Sequence, residues 1–203
     1  NKSFHLCYQI LPMNCFESYI KGRISLTIKQ WQLINELFEP SVVDADHLLL
    51  EEGKICRYLY FLESGVLRFF YTENGLEHTQ YFTYPPYFFT AQDSFSSQLP
   101  AKQAIHVLKK AKLRRVSLKN LQRLYAEVPA WNGLMRKVIL EVSLATQDLL
   151  AEANTQTAEW RYKGIIKEEP QLLQDVPLKY IASYLGISPE SLSRIRKKLI
   201  DSF

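Results

Sequence analysis

The sequence predicts an α+β protein built as an N-terminal antiparallel β-sandwich or jelly roll, then one long helix, then a C-terminal helix-turn-helix. Three observations carry this. Between positions 47 and 116, short aromatic and β-branched runs alternate with turn residues. After Pro129 the apolar period becomes helical, and residues 176–199 read VPLKYIASYLGISPESLSRIRKKL. The expected units are residues 1–127 for the sandwich with its flanking helices, 128–155 for the long helix, and 156–203 for the helix-turn-helix.

Each element has a local reason. Ile28, Trp31, Leu33, Ile34, Leu37 and Phe38 lie at helical spacing, so residues 27–38 form a short amphipathic helix, stopped by Pro40. Strands are expected at 48–50, 58–62, 66–71, 78–83, 104–108 and 113–116. Gly53 and Ser64-Gly65 break two runs, and Asn74-Gly75 predicts a tight hairpin, because both central residues of such a turn need φ > 0. Both faces of 58–62 are apolar, as a strand inside a sandwich requires.

Residues 118–127 read as a helix, and Pro129 opens a longer one to about position 153. In it Met135, Val138, Val142, Ala145 and Leu149 follow 3, 4, 3, 4 spacing, that of a coiled-coil seam. A homodimer paired along this seam is expected; the alternative is a helix packed only on its own sandwich. Residues 157–168 form a further helix that Pro170 ends.

In 176–199, Leu178, Ile181, Ala182 and Leu185 recur at i, i+3, i+4 and i+7, one apolar face of a first short helix. Gly186 accepts the φ > 0 of a sharp turn, Ile187 plugs the corner, Ser188 caps the second helix, and Pro189 starts it without losing a hydrogen bond. Leu192, Ile195 and Leu199 point back to the first helix, while Glu190, Arg194 and Lys197 share the outer face. That face suits double-stranded DNA. Arg194 can donate two hydrogen bonds to guanine, Glu190 can accept from cytosine, and lysines can neutralise phosphates.

Charge agrees with this reading. The chain has 203 residues, 47% of them hydrophobic, and a net charge of +4, enough for a proper core and a mild pull towards polyanions. From position 176 onward, Lys179, Arg194, Arg196, Lys197 and Lys198 face only Glu190 and Asp201. Cys7, Cys15 and Cys56 have neither disulfide-framework nor metal-ligand spacing, which fits a reducing cytoplasm. Neither a secretory leader nor a membrane span is recognisable. Without a nucleophile elbow, zinc-protease, P-loop or dinucleotide motif, an enzyme is not expected.

A sandwich, a long helix and a C-terminal helix-turn-helix, in that order, resemble the Crp/Fnr superfamily of transcription regulators over nearly the whole chain. The most specific match is LGISPESLSRIRKKL, where Ser188, Glu190, Ser191 and Arg194 fall on the recognition segment's Ser, Glu, Thr/Ser and Arg positions. The resemblance implies a cyclic-nucleotide-binding-like sandwich, a dimerisation helix and a homodimer on a palindromic operator. It implies base reading by Glu190 and Arg194, and backbone contact by Lys179, Ser188, Ser191, Lys197 and Lys198. Pro189 departs from a position often held by arginine. Gly53 and Gly65 match β-roll glycines.

The effector pocket departs further. Thr90 and Ala91 stand where a ribose-binding Gly-Glu pair is expected, and Pro100-Ala101-Lys102-Gln103 lacks the phosphate-clamping arginine, so cyclic AMP is not the expected ligand. Thr146 and Gln147 fall where the family's cyclic-AMP receptor touches adenine; Thr146 also reads as a plain interface residue. Arg57, Arg68 and Gln80 either face solvent, as strand alternation favours for charged residues, or line an internal cavity for another anion. The candidate effector set is Arg68, Gln80, Thr90, Thr146 and Gln147, with the effector unknown and no cofactor implied. An iron-sulfur centre lacks its four cysteines, and His5, His47, His78 and His106 lack a haem motif.

The basic run Lys109, Lys110, Lys112, Arg114 and Arg115 reads either as a solvated strand face or as a surface for DNA or RNA polymerase. A rival to the regulator reading is a ligand-binding or protein-interaction module whose degenerate helix-turn-helix serves for packing. The end at Phe203, without a β-hairpin wing, favours that rival.

Overall fold

A computed structural model describes residues 15–200, so His5, Cys7 and Asp201 lie outside the described residues. Helices α1 (Cys15–Lys21) and α2 (Ile28–Leu37) come first. α2 begins where Thr27 Oγ1 accepts from Gln30 N–H while the Gln30 side chain accepts from Thr27 N–H, satisfying two donors the helix would leave unpaired. The strands are β1 (Glu39–Val43), β2 (His47–Leu50), β3 (Tyr58–Glu73), β4 (Leu76–Thr83), β5 (Tyr87–Phe89) and β6 (Ala104–Ser117), with α3 (Gln92–Ser97) between β5 and β6. The chain continues through α4 (Leu118–Glu127), α5 (Pro129–Thr155), α6 (Ala158–Glu168), α7 (Pro170–Asp175), α8 (Leu178–Leu185) and α9 (Pro189–Ile200).

The sheet is antiparallel throughout, and its backbone is the pairing of β3 with β6. The register of that pair shifts repeatedly between Leu62 and Leu67. On one side of the shifts β1 and β5 flank the pair; on the other β2 and β4 do. The runs 58–62 and 66–71 are therefore one bent strand, as are 104–108 and 113–116. Bulges bend strands without ending them. Gly65 permits the bend: its φ is +106°, and a Cβ there would sit 2.7 Å from Ala111 Cα.

Asn74 and Gly75 form the expected hairpin turn with φ of 51° and 77°. β1 escaped the sequence reading because Glu39-Pro40 looks like a turn; Pro40 is tolerated in this edge strand, opposite Arg114. Pro170 ends α6 as expected but also opens α7.

One core fills the sandwich. Phe16 meets Phe38 and Phe61 at ring-centroid distances of 4.8 and 5.1 Å, and Phe38 meets Trp131 of α5 at 5.6 Å. This burial corrects the expected seam. Met135 and Val138 are each only 6% exposed inside the chain's own core, Val142 packs against it, and Ala145 and Leu149 line a cavity facing the helical end. A 3, 4 repeat marks an apolar helix face without saying what covers it. The apolar residues of α5 that remain uncovered are Ile139, Leu140, Leu144 and Leu150, each more than half exposed.

A second core of Tyr162, Ile165, Leu172, Ile181, Ala182, Leu185 and Leu192 holds the helical end together, with Val66 and Tyr84 of the sandwich joining it. No helix among the described residues is long and apolar enough to cross a membrane.

Candidate nucleic-acid interface

α8 and α9 are joined by a turn whose geometry follows from four residues. Gly186 adopts φ 71°; its N–H donates to Ser183 O, and Ile187 N–H donates to Ala182 O, closing the end of α8. Ser188 Oγ then accepts from Ser191 N–H at 3.2 Å, capping α9, and Pro189 follows. Ile181, Ala182 and Leu185 are buried against Leu192, whereas Leu178 is 37% exposed and lies at the edge of the apolar face assigned to it.

The outer face of α9 is open in this chain. Glu190, Arg194 and Lys197 are exposed, with Arg194 Nε at 3.5 Å from Glu190 O. A hydrogen bond from the Ser188 side chain, the local backbone and the Arg194 charge hold the Glu190 carboxyl below its usual range, so it presents an anion beside cations. Ser188 and Ser191 also bond each other through their hydroxyls at 3.2 Å. Lys179 is exposed over the Tyr180 ring, and Lys198 pairs with Glu159 at 2.8 Å. These residues lie on two successive helices, and the outer face of α9 carries a carboxylate, a guanidinium and an ammonium group.

The opposite side of the motif is docked on the sandwich, which sequence reasoning missed. Ser183 Oγ accepts from Thr79 N–H at 2.9 Å and donates to Glu77 O at 2.8 Å, so a side chain of α8 satisfies the free edge of β4. Lys109 pairs with the buried Asp175 carboxylate, and Arg161 donates to Tyr184 O at 3.1 Å. One signal was present: Tyr180 and Tyr184, at i and i+4, lie off the apolar face of α8 and form a second stripe.

The candidate effector residues are not brought together. Arg68 is 1% exposed, which corrects the solvent-facing reading; its Nε donates to Thr79 Oγ1 at 2.8 Å and its Nη1 to Glu77 Oε2 at 2.6 Å. Its guanidinium lies between the rings of Phe70 and Tyr180. Gln80 is exposed, as is Arg57. Thr90 Oγ1 donates to Tyr58 O at 2.9 Å and lies 3.3 Å from Cys56 Sγ, so it braces the sheet. Thr146 bonds back to Val142 O at 2.8 Å, and Gln147 is exposed.

The basic run on β6 is largely paired: Lys109 with Asp175, Lys110 with Asp44, Arg114 with Glu63 and Arg115 with Glu39. It is a strand face laced with ion pairs. Among the described residues no group of three or more His, Cys, Asp or Glu side chains is placed to hold a metal ion.

No protein-family model matches the sequence, and no curated protein matches it. Solved structures match in architecture. A Eubacterium rectale protein described as a transcriptional regulator of the crp/fnr family superposes with a TM-score of 0.73 at 16% identity, covering 93% of this chain and 88% of that one. The chain has the Crp/Fnr fold. CLP from Xanthomonas campestris, a c-di-GMP responsive global regulator, shares the Crp/Fnr fold at TM-score 0.71 and 16% identity over 87% of this chain and 93% of its own. FixK2 from Bradyrhizobium japonicum does so at 0.66 and 18%, over 81% and 85%. In this Crp/Fnr fold the helix-turn-helix is C-terminal and α5 joins it to the sandwich.

Proposed function

We propose that this protein is a homodimeric, sequence-specific DNA-binding transcription regulator that works in the cytoplasm and catalyses no reaction. The observation that carries the proposal is the exposed outer face of α9, with Glu190, Arg194 and Lys197 one turn apart on a helix capped by Ser188 and braced by α8. A major groove admits such a helix, and this pattern of an arginine with a carboxylate suits reading of base edges. Residues 1–127 act as the sensor, 128–155 as the dimer helix and 156–203 as the DNA-binding unit. The dimer forms through Ile139, Leu140, Leu144 and Leu150, because these apolar side chains of α5 are uncovered while the 135/138 face is occupied.

The effector is not cyclic AMP. The buried Arg68 spends its fork on Thr79 and Glu77, and the 87–104 segment supplies only the exposed Lys102 to a phosphate. Fluorescence anisotropy against a DNA pool, before and after rounds of selection, tests the function. Specific, salt-dependent binding to a palindromic site is expected, and equal affinity for every sequence overturns it. The rival module reading draws on the docking of α8 onto β4, which gives the helix pair a packing role without DNA; it requires that selection enrich nothing.

A further inference from the structure

A cavity of about 140 Å³ lies where β4, β5, α5 and the helical end meet. An engineered apolar cavity of about 150 Å³ takes benzene, so the space fits one ring with a short substituent. Tyr81 and Tyr87 of the sandwich, Leu149 of α5, and Ile165, Leu172 and Tyr184 of the helical end form its walls.

The polar groups among these walls are unevenly satisfied. Thr146 has bonded back to its own helix. Thr83, 2% exposed, has a buried hydroxyl with no hydrogen-bond partner among the described residues. Glu169 makes no ion pair among the described residues. Burial first, then the Glu168 and Glu152 charges, push its carboxyl up to about 7. Of the charged groups around it, Glu152 comes from α5, and Glu168, Arg161, Lys163 and Lys167 from α6; Arg161 is spent on the carbonyl and ring of Tyr184, and Lys163 pairs with Glu159. The cavity thus combines apolar walls, tyrosine rings and an acid that forms no ion pair among the described residues. The acid favours a cation, because a carboxylate in a poorly solvated wall gains most from a charge-assisted donor, and the apolar walls and tyrosine rings favour a ligand ring.

We propose that this cavity binds a small ring-bearing primary amine in its ammonium form, with Glu169 as counter-ion. The ring fills the space between Tyr81, Tyr87 and Leu149. Since the walls come from both the sandwich and the helical end, occupancy stabilises their docked arrangement. That regulatory consequence rests on the DNA-binding reading; ligand binding does not, so the two fail separately.

Calorimetric titration of the full chain with benzylamine, benzyl alcohol and benzoate, at pH 8 and pH 6, tests the proposal without DNA. These probes share a ring and differ in charge. At pH 8 benzylamine is expected to bind at least about tenfold more tightly than benzyl alcohol, with benzoate weakest. The advantage should shrink at pH 6, where Glu169 is protonated. Glu169→Gln should abolish the advantage and leave benzyl alcohol binding in place, while Ala145→Phe, which fills the cavity, should abolish both. Equal affinity for benzylamine and benzyl alcohol at pH 8, an advantage that survives Glu169→Gln, or no binding of benzylamine through the millimolar range overturns the proposal. The pH comparison on the unmodified chain decides the matter even if a variant fails to fold.

Discussion

The guanidinium carbon of Arg68 lies 3.9 Å from the ring centroid of Tyr180, joining the middle of β3 to the first helix of the helix-turn-helix. A buried cation needs compensation on every side, and Arg68 has it from Thr79, from Glu77 and from the faces of Phe70 and Tyr180. The position of α8 is therefore coupled to the interior of the sheet. Arg68→Ala should cost about 3 kcal/mol in chemical unfolding, because Thr79 and Glu77 lose their donor and the space is left empty. Tyr180→Ala should cost less, and the double variant should lose less than the sum; strict additivity in this cycle would mean that the two do not interact.

Gly65 and Gly133 make a matched pair. At Gly65 a methyl group would strike Ala111 Cα at 2.7 Å and Lys109 O at 2.9 Å, both backbone, at a φ of +106°. Gly65→Ala should lower the thermal midpoint sharply or prevent folding. Gly133 lies within α5 with nothing within 4 Å of its would-be Cβ, so Gly133→Ala should stabilise by up to about 1 kcal/mol.

Glu169 sets a pH dependence. Its folded pKa is raised from 4.5 to about 7, so between those values the folded state keeps a proton that the unfolded chain has lost. Stability contributed by this group is complete below the lower value and declines as pH rises through the window. Glu169→Gln should flatten that decline and exceed the unmodified protein above pH 7 by about 1 to 2 kcal/mol, read from urea midpoints at pH 5, 6, 7 and 8.

On α9, Arg194 and Lys197 should behave differently on the selected operator. Arg194→Ala should relax preference at one base position and cost about 1 to 3 kcal/mol, whereas Lys197→Ala should weaken all sequences alike and reduce the salt slope by about 1. Anisotropy titrations across salt concentrations separate the two outcomes.

The uncovered face of α5 predicts the oligomer. Leu140→Glu with Leu144→Glu, at side chains 59% and 53% exposed, should yield a folded monomer by light scattering. Met135→Glu, inside the core, should instead unfold the chain. A double variant that stays dimeric would assign the contact elsewhere.

The features legible in the amino-acid order were those written within a few residues. The Asn74-Gly75 hairpin, the Gly186 turn, the Ser188 cap and the two faces of α9 depend on local φ preferences, short hydrogen bonds and helical periodicity, and each is found at its expected place. The order of sandwich, long helix and helix-turn-helix was likewise readable, because the apolar period changes at each boundary. Which surface covers an apolar face was not readable. Met135 and Val138 lie on a stripe that would serve a partner or the chain's own core equally well, and only packing around Trp131 decided for the core. Alternation favours solvent over an internal cavity for Arg68, and the partners that compensate its burial include a ring more than a hundred residues away. The same distance hid Ser183 at the β4 edge and Glu169 in the wall of the cavity that Tyr81 and Thr83 also line: tertiary structure alone brings such groups together, since burial and electrostatic environment belong to the folded neighbourhood and not to the residue.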